Sequence, residues 1–310
     1  MRWKTGDEKR KKEKGRRTKK KGSMDFKEYI KRKREIVNQA LESCLPDENK
    51  EPQSLHRAMR YSVFAGGKRL RPILAIASFE AVVGRGKAIL PVACALEMIH
   101  TYSLIHDDLP CMDDDDLRRG KPTLHKVYGD GMAVLAGDAL HALAFELLLQ
   151  SKNPQVVYEV AKAIGTEGMI GGQVKDLEAE GKKVSLKQVE YIHTHKTGKL
   201  LSASVRAGAI LGGADKATLS ALSSYGEKFG LAFQIVDDIL DVVGKEEIIG
   251  KKKGSDKANS KATYPEVIGL EESKKLAKDL LTQAKSKLKV LKDKSWVFEM
   301  LANYVYGRIG

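Results

Sequence analysis

The chain has 310 residues, 42% hydrophobic and 6% aromatic, enough for one large or two ordinary domains and richer in helix formers than in strand formers. The formal net charge of +14 points to an anionic partner, but twelve Lys or Arg against three acids fall within residues 1–23, leaving 43 basic and 38 acidic side chains elsewhere. Cys44, Cys94 and Cys111 lack metal-ligand spacing and form no even set, which excludes a zinc site and a disulfide scaffold and predicts free thiols in a reducing cytoplasm.

Residues 1–23, including Lys9-Arg10-Lys11-Lys12 and Lys19-Lys20-Lys21, show no apolar period and are expected to form a disordered basic extension. The stretch has neither the apolar core of a secretory signal nor the Ser-rich amphipathic pattern of a transit peptide. A tether to nucleic acid or an anionic surface is its functional reading; an upstream extension without a catalytic role is the simpler one.

Residues 24–310 read as a single all-α domain of about ten helices. Phe26, Ile30, Val37 and Leu41 recur at helical spacing until Leu45-Pro46-Asp47 breaks the run. Leu55–Ala65 resumes the period and stops at Gly66-Gly67; Ile73–Val83 follows Pro72 and stops at Gly84. Pro91–Leu109 and Leu135–Leu149 are apolar nearly all round, as helices inside a bundle are. The run Met132–Leu149 is interrupted by Asp138, His141 and Glu146, so no membrane span is expected. Val156–Gly172, Leu186–Gly213, Ala217–Val243 and Glu271–Leu291 complete the set.

Two apolar helices end in paired acids, at Asp107-Asp108 and, 130 residues later, at Asp237-Asp238. Charges in such places are costly unless something pairs with them. Asp237 and Asp241 are i,i+4 on one helix face and would project into a common space. The first cluster continues through Asp113 to Asp116. An unbroken helix would align Asp107 with Asp114, but Pro110 disturbs it, so spacing alone leaves Asp113 and Asp114 as alternatives. Hard oxygen ligands of this kind suit Mg²⁺, which bridges carboxylates and substrate phosphates. Basic groups suited to phosphate stand nearby in the sequence: Gly66-Gly67-Lys68-Arg69-Leu70-Arg71, Arg118-Arg119-Gly120-Lys121, Lys196-Thr197-Gly198-Lys199 and Lys251-Lys252-Lys253. Each loop alone reads as a solvated surface; together with two acidic motifs they point to diphosphate substrates.

These residues resemble the trans-type short-chain isoprenyl diphosphate synthases, closest to the bacterial farnesyl diphosphate synthases and similar also to plant geranylgeranyl diphosphate synthases. The resemblance runs from about Phe26 to the C-terminus and is strongest over Gly66–Pro72, Glu97–Thr123, Lys196–Gly198, Phe233–Asp241 and Gly254–Pro265. It implies a helical bundle around a central cavity and a homodimer. It implies Mg²⁺ as cofactor, three ions per site with substrate bound, on Asp107, Asp113 and Asp237, with Asp108, Asp238 and Asp241 as further acids of the motifs. Lys68, Arg71, His100 and Arg119 would hold the isopentenyl diphosphate, and Arg118, Lys196, Lys251 and Lys261 the allylic diphosphate. Thr197 and Gln234, with Lys196, would act near the reacting carbon. From the residues alone, a satisfied core histidine is the simpler reading of His100.

Tyr102 lies five residues before Asp107, ~7.5 Å back along the helix, where farnesyl-producing members carry a bulky floor; Ser103 beside it is small. A C15 product is therefore expected, with C20 as the alternative. A non-catalytic partner subunit is the reading from another class, disfavoured by the intact acidic and basic sets. The terminal Tyr304–Gly310 departs from the polar, Arg-ending tail of the bacterial members.

Overall fold

The computed structural model describes residues 25–243 and 263–309; residues 1–23, Lys251 and Lys261 lie outside them. Among the described residues the regular structure is helical except for one short antiparallel pair, Leu117–Arg118 (β1) with Lys121–Pro122 (β2). In chain order the helices are α1 (Phe26–Cys44), α2 (Gln53–Val63), α3 (Leu70–Val83), α4 (Leu90–Asp107), α5 (Leu124–Tyr128), α6 (Asp130–Leu149), α7 (Pro154–Ile164) and α8 (Met169–Ala179). They continue with α9 (Leu186–His193), a π-turn (Thr194–Gly198), α10 (Lys199–Leu211), α11 (Lys216–Val243), α12 (Tyr264–Ile268), α13 (Leu270–Lys287) and α14 (Trp296–Tyr306). The all-α bundle expected from the sequence is what the chain forms.

Two apolar clusters hold the helices. Leu41, Met59, Leu96, Ile99, Leu140 and Leu148 join α1, α2, α4 and α6. Leu74, Leu201, Tyr225, Phe229, Leu281 and Phe298 join α3, α10, α11, α13 and α14. Each fully buried side chain of this size contributes about 1.5–3 kcal/mol of transfer free energy, so packing fixes where the helix ends fall. By length and composition alone, α6 is long and apolar enough to cross a membrane, yet it packs extensively along α4.

Two breaks differ from the helical period. The run Val156–Gly172 is split into α7 and α8 around Gly165–Gly168. The run Leu186–Gly213 carries the π-turn, whose extra residue rotates everything after it by about 100°. The last helix, α14, is fixed by Phe298, whose ring meets Tyr225 edge-on at 5.1 Å while its carbonyl accepts the Tyr225 hydroxyl at 2.8 Å. This contact delivers the chain end to the cavity described next.

Candidate active site

A cavity of about 930 Å³ opens between the start of α3, the end of α4, α8, the π-turn and α11. Its volume suits a sizeable organic ligand. One wall is basic. Gly66 and Gly67 both have positive φ, +107° and +126°, and a Cβ on Gly67 would lie 2.7 Å from Arg119 Nη1, so only glycine admits that guanidinium. Arg119 Nη1 donates to the Gly66 carbonyl, and Lys68, Arg71, His100 and Arg119 all line the cavity.

Crowding these cations has a cost that their acidities record. Burial, then the charges of Arg71, Arg119, Arg118 and Arg69, hold the His100 imidazole well below its usual range, so it is neutral at pH 7. Burial pushes Arg71 down to about 10, and Glu97 opposes that shift. Burial and the Arg308 charge lower Lys68 as well. A wall of this kind suits a polyanion.

Arg69, in the middle of the same basic run, does something different. Its φ of +53° turns the side chain inward, where Nη1 meets Glu97 Oε1 at 2.6 Å, Nε meets Asn38 Oδ1 at 2.9 Å and Nη2 meets the Val63 carbonyl at 2.7 Å. It is a buried strut that holds the loop carrying Lys68 and Arg71.

The acidic wall begins where α4 ends. Past Asp107 and Pro110 the chain turns back, and the Asp113 N–H donates to the Asp107 carbonyl at 2.8 Å. Asp107 and Asp113 lie on the cavity lining, whereas Asp114, at φ +49°, does not. Asp108 is buried and accepts from Arg118 through Nε at 2.9 Å and through Nη2. Arg118 Nη2 also reaches Asp115 Oδ2 at 2.9 Å, so these two acids hold it against the wall. Burial raises Asp108 to about 6, with Arg118 opposing.

On α11, Asp237 faces the cavity from the other side. Asp241, expected beside it, is buried and off the lining, because one further turn carries the helix about 6 Å along its axis. Lys196 Nζ meets Asp176 Oδ2 at 2.6 Å. Burial lowers this ammonium, but the carboxylates of Asp107, Asp176 and Asp113 outweigh it and raise its pKa. A Cβ on Gly172 would lie 2.2 Å from the Lys196 backbone nitrogen, so glycine lets α8 meet the π-turn backbone to backbone. Thr197 Oγ1 donates to Gln234 Oε1 at 2.9 Å.

The apolar end of the cavity follows α4 backwards. Tyr102 is 7% exposed, with its ring 4.9 Å from His141 and 5.8 Å from His106. Phe145 backs His141 at 5.2 Å. Ser103 Oγ folds onto the His100 carbonyl at 3.0 Å and adds no bulk.

Three participants escape the sequence motifs: Glu97, Asp176 and Arg308. Glu97 shows only as one acid within an apolar run, and Asp176 as one of several charges between Lys175 and Glu180, both weak signals. Arg308 stands in the tail that the sequence reading sets apart. It reaches Asp237 Oδ1 through Nη1 at 2.6 Å.

Residues 52–300 match the polyprenyl synthetase family. The chain is 50% identical over 296 residues to heterodimeric geranylgeranyl pyrophosphate synthase large subunit 1, chloroplastic, of Arabidopsis thaliana, covering 91% of this chain and 79% of that protein. It is 50% identical over 256 residues to farnesyl diphosphate synthase of Geobacillus stearothermophilus, covering 80% and 86% respectively. The crystal structure of an FPP/GFPP synthase from Zymomonas mobilis superposes with a TM-score of 0.79 at 39% identity, covering 91% of this chain and 98% of that one. With matches of this extent around a cavity of opposed basic and acidic walls, the chain belongs to the polyprenyl synthetase family and is a trans-type prenyltransferase.

Proposed function

We propose that the chain condenses isopentenyl diphosphate with dimethylallyl and then geranyl diphosphate, and stops at farnesyl diphosphate (C15). The observation that carries this reading is the buried ring of Tyr102, one and a half turns behind Asp107 and backed by His106 and His141. A prenyl tail growing from the acidic wall along α4 meets that stack early.

The donor chemistry fits Mg²⁺. Among the described residues no three acid, His or Cys side chains converge on a point that could hold a metal by themselves. Mg²⁺ is commonly held by one or two carboxylates plus substrate phosphates, and carboxylates on two facing walls suit that division. Asp107 and Asp113 on one side and Asp237 on the other would hold the ions, three per site with substrate bound. When bound, Mg²⁺ neutralises charge on the leaving diphosphate.

The protein's own part is binding and orientation. Lys68, Arg71, His100 and Arg119 take the isopentenyl diphosphate. Lys196 and Arg118 face the allylic diphosphate; Lys251 and Lys261, expected to help, lie outside the described residues. As the allylic C–O bond breaks, its electron pair leaves with the diphosphate and positive charge develops on carbon. Gln234 Oε1 and Thr197 present oxygen dipoles to that charge. The isopentenyl double bond then forms the new C–C bond, and its proton passes to the departed diphosphate.

Geranylgeranyl diphosphate (C20) is the alternative product, favoured by the relatives that carry that name. A homodimer is also proposed: α6 turns Val134 and Leu135 outward, 42% and 57% exposed, as an apolar face that a second copy would cover. The three free thiols suit a reducing compartment such as the cytoplasm. Chromatography of the products from labelled isopentenyl diphosphate and dimethylallyl diphosphate with Mg²⁺ tests the reading. A C15 product is expected, and C20 would overturn the assigned length.

A further inference from the structure

Asp238, the second acid of the α11 motif, has no part in the roles given above, yet it is among the most completely enclosed charges in the molecule, 2% exposed. Its two oxygens are engaged from three directions. Oδ2 accepts the backbone N–H of Tyr264 at 2.9 Å and lies 2.6 Å from Nε2 of His193. Oδ1 accepts from Gln234 Nε2 at 3.1 Å. A carboxylate can only accept, so Nε2 of His193 carries a proton in this pair. The histidine is itself enclosed, at 5% exposure and with its ring 5.3 Å from that of Tyr264.

The consequence falls on Gln234. A primary amide has a donating and an accepting end, and Asp238 tolerates only the donor. Gln234, which lines the cavity, must therefore give Nε2 to Asp238, which leaves Oε1 to accept from Thr197. Reversing the amide would set two oxygens against each other at Asp238 and present N–H hydrogens to the reaction centre. The sign of the dipole at the allylic carbon would invert.

We infer that His193 is a positioning residue for prenyl transfer: acting through Asp238, it fixes the amide of Gln234 so that its oxygen faces the forming cation. His193 closes α9 and immediately precedes the π-turn that carries Lys196 and Thr197, so one short segment supplies both the anchor and the groups it orients. Helix α9 is itself secured at its start by a reciprocal Ser185–Gln188 cap. The inference rests on the reading of Gln234 as a neighbour of the reacting carbon.

The test compares His193→Gln, whose amide is long enough to donate to Asp238, with His193→Asn, which is too short. Each is made alone and in a Gln234→Leu background, with steady-state kinetics on isopentenyl and dimethylallyl diphosphates and a melting curve for each protein. The Asn variant should lose about 10–100-fold in kcat, the usual range for residues that orient reacting groups, with both KM values within about twofold. The Gln variant should recover most of the loss. In the Gln234→Leu background the Asn substitution should cost less than about threefold, because the group it orients is gone. Multiplicative losses, native kcat in the Asn variant, or a collapsed melting curve in Asn but not Gln would overturn the inference in favour of a purely structural histidine. A wild-type protein that transfers no prenyl group would instead sink the functional reading on which it rests.

Discussion

Arg308, at the end of the chain, donates from Nη1 to Asp237 Oδ1 at 2.6 Å, and its guanidinium lies 5.6 Å from the ring centroid of Phe233. Burial raises Asp237 above the usual carboxylate range, and Arg308 and then Lys68 offset this. The carboxylate assigned to a divalent ion thus already has a cationic partner from the chain terminus. Metal and arginine compete for one oxygen. Arg308→Gln is expected to lower the Mg²⁺ concentration for half-maximal turnover by about three- to tenfold, in line with the ~1 kcal/mol net worth of a typical intramolecular hydrogen bond. A metal titration checks this, and a rise in the required concentration would contradict it.

Tyr102 gives the chain-length prediction. Its hydroxyl is buried and has no hydrogen-bond partner among the described residues, as suits a residue present for its bulk. Tyr102→Ala should open the apolar end of the cavity and shift the product from C15 to C20 or longer, read by chromatography. His141 and Phe145 stand behind it, so lengthening should stop after one or two further units. An unchanged product would remove Tyr102 from the floor.

Arg69 and Glu97 form a pair with side chains 2% and 1% exposed. Removing one partner strands the other charge in a low-dielectric interior, at about 3–5 kcal/mol. Glu97→Ala should therefore lose about that much stability in urea unfolding. The double change Arg69→Met with Glu97→Leu should recover most of it, since two apolar groups leave no orphan charge. Equal losses in the single and double variants would contradict this reading.

His100 sets a pH dependence. Its folded pKa is depressed by burial and neighbouring arginines, so the unfolded chain binds more protons as pH falls below about 6.5. Stability from this group is present above that pH and is lost on acidification, by up to about 1.4 kcal/mol per pH unit for one proton. Asp108, raised to about 6, acts with the opposite sign over part of the window, so the comparison must be with His100→Gln. Between pH 7 and 5 the wild type should lose more stability than the variant. Parallel curves would show that His100 is not held neutral.

What the sequence made legible was mostly what depends on local period and residue chemistry. The apolar helices α4, α6 and α11 follow from spacing, and the polar groups on the cavity walls follow from motif and resemblance. What stayed hidden depends on contacts distant in the chain or on a single backbone angle. Arg69 sits between Lys68 and Arg71 in an unbroken basic run, and only its left-handed φ sends it inward to Glu97. Asp176 meets Lys196 from a helix that the period alone merges with α7. The π-turn adds one residue, which a 3.6-residue period cannot register. Arg308 reaches Asp237 because Phe298 docks on Tyr225, 73 residues away in sequence.

We propose that carboxylates on two facing walls, Asp107 with Asp113 and Asp237, serve one diphosphate-ionising site. Its most direct test is prenyl transfer from dimethylallyl to isopentenyl diphosphate with Mg²⁺ by the wild type, Asp107→Ala and Asp237→Ala, alongside circular dichroism. Loss of most turnover in each variant, about 10³-fold or more at ~4 kcal/mol of barrier, with helicity intact, is the predicted result. Near-native turnover in both variants would contradict it.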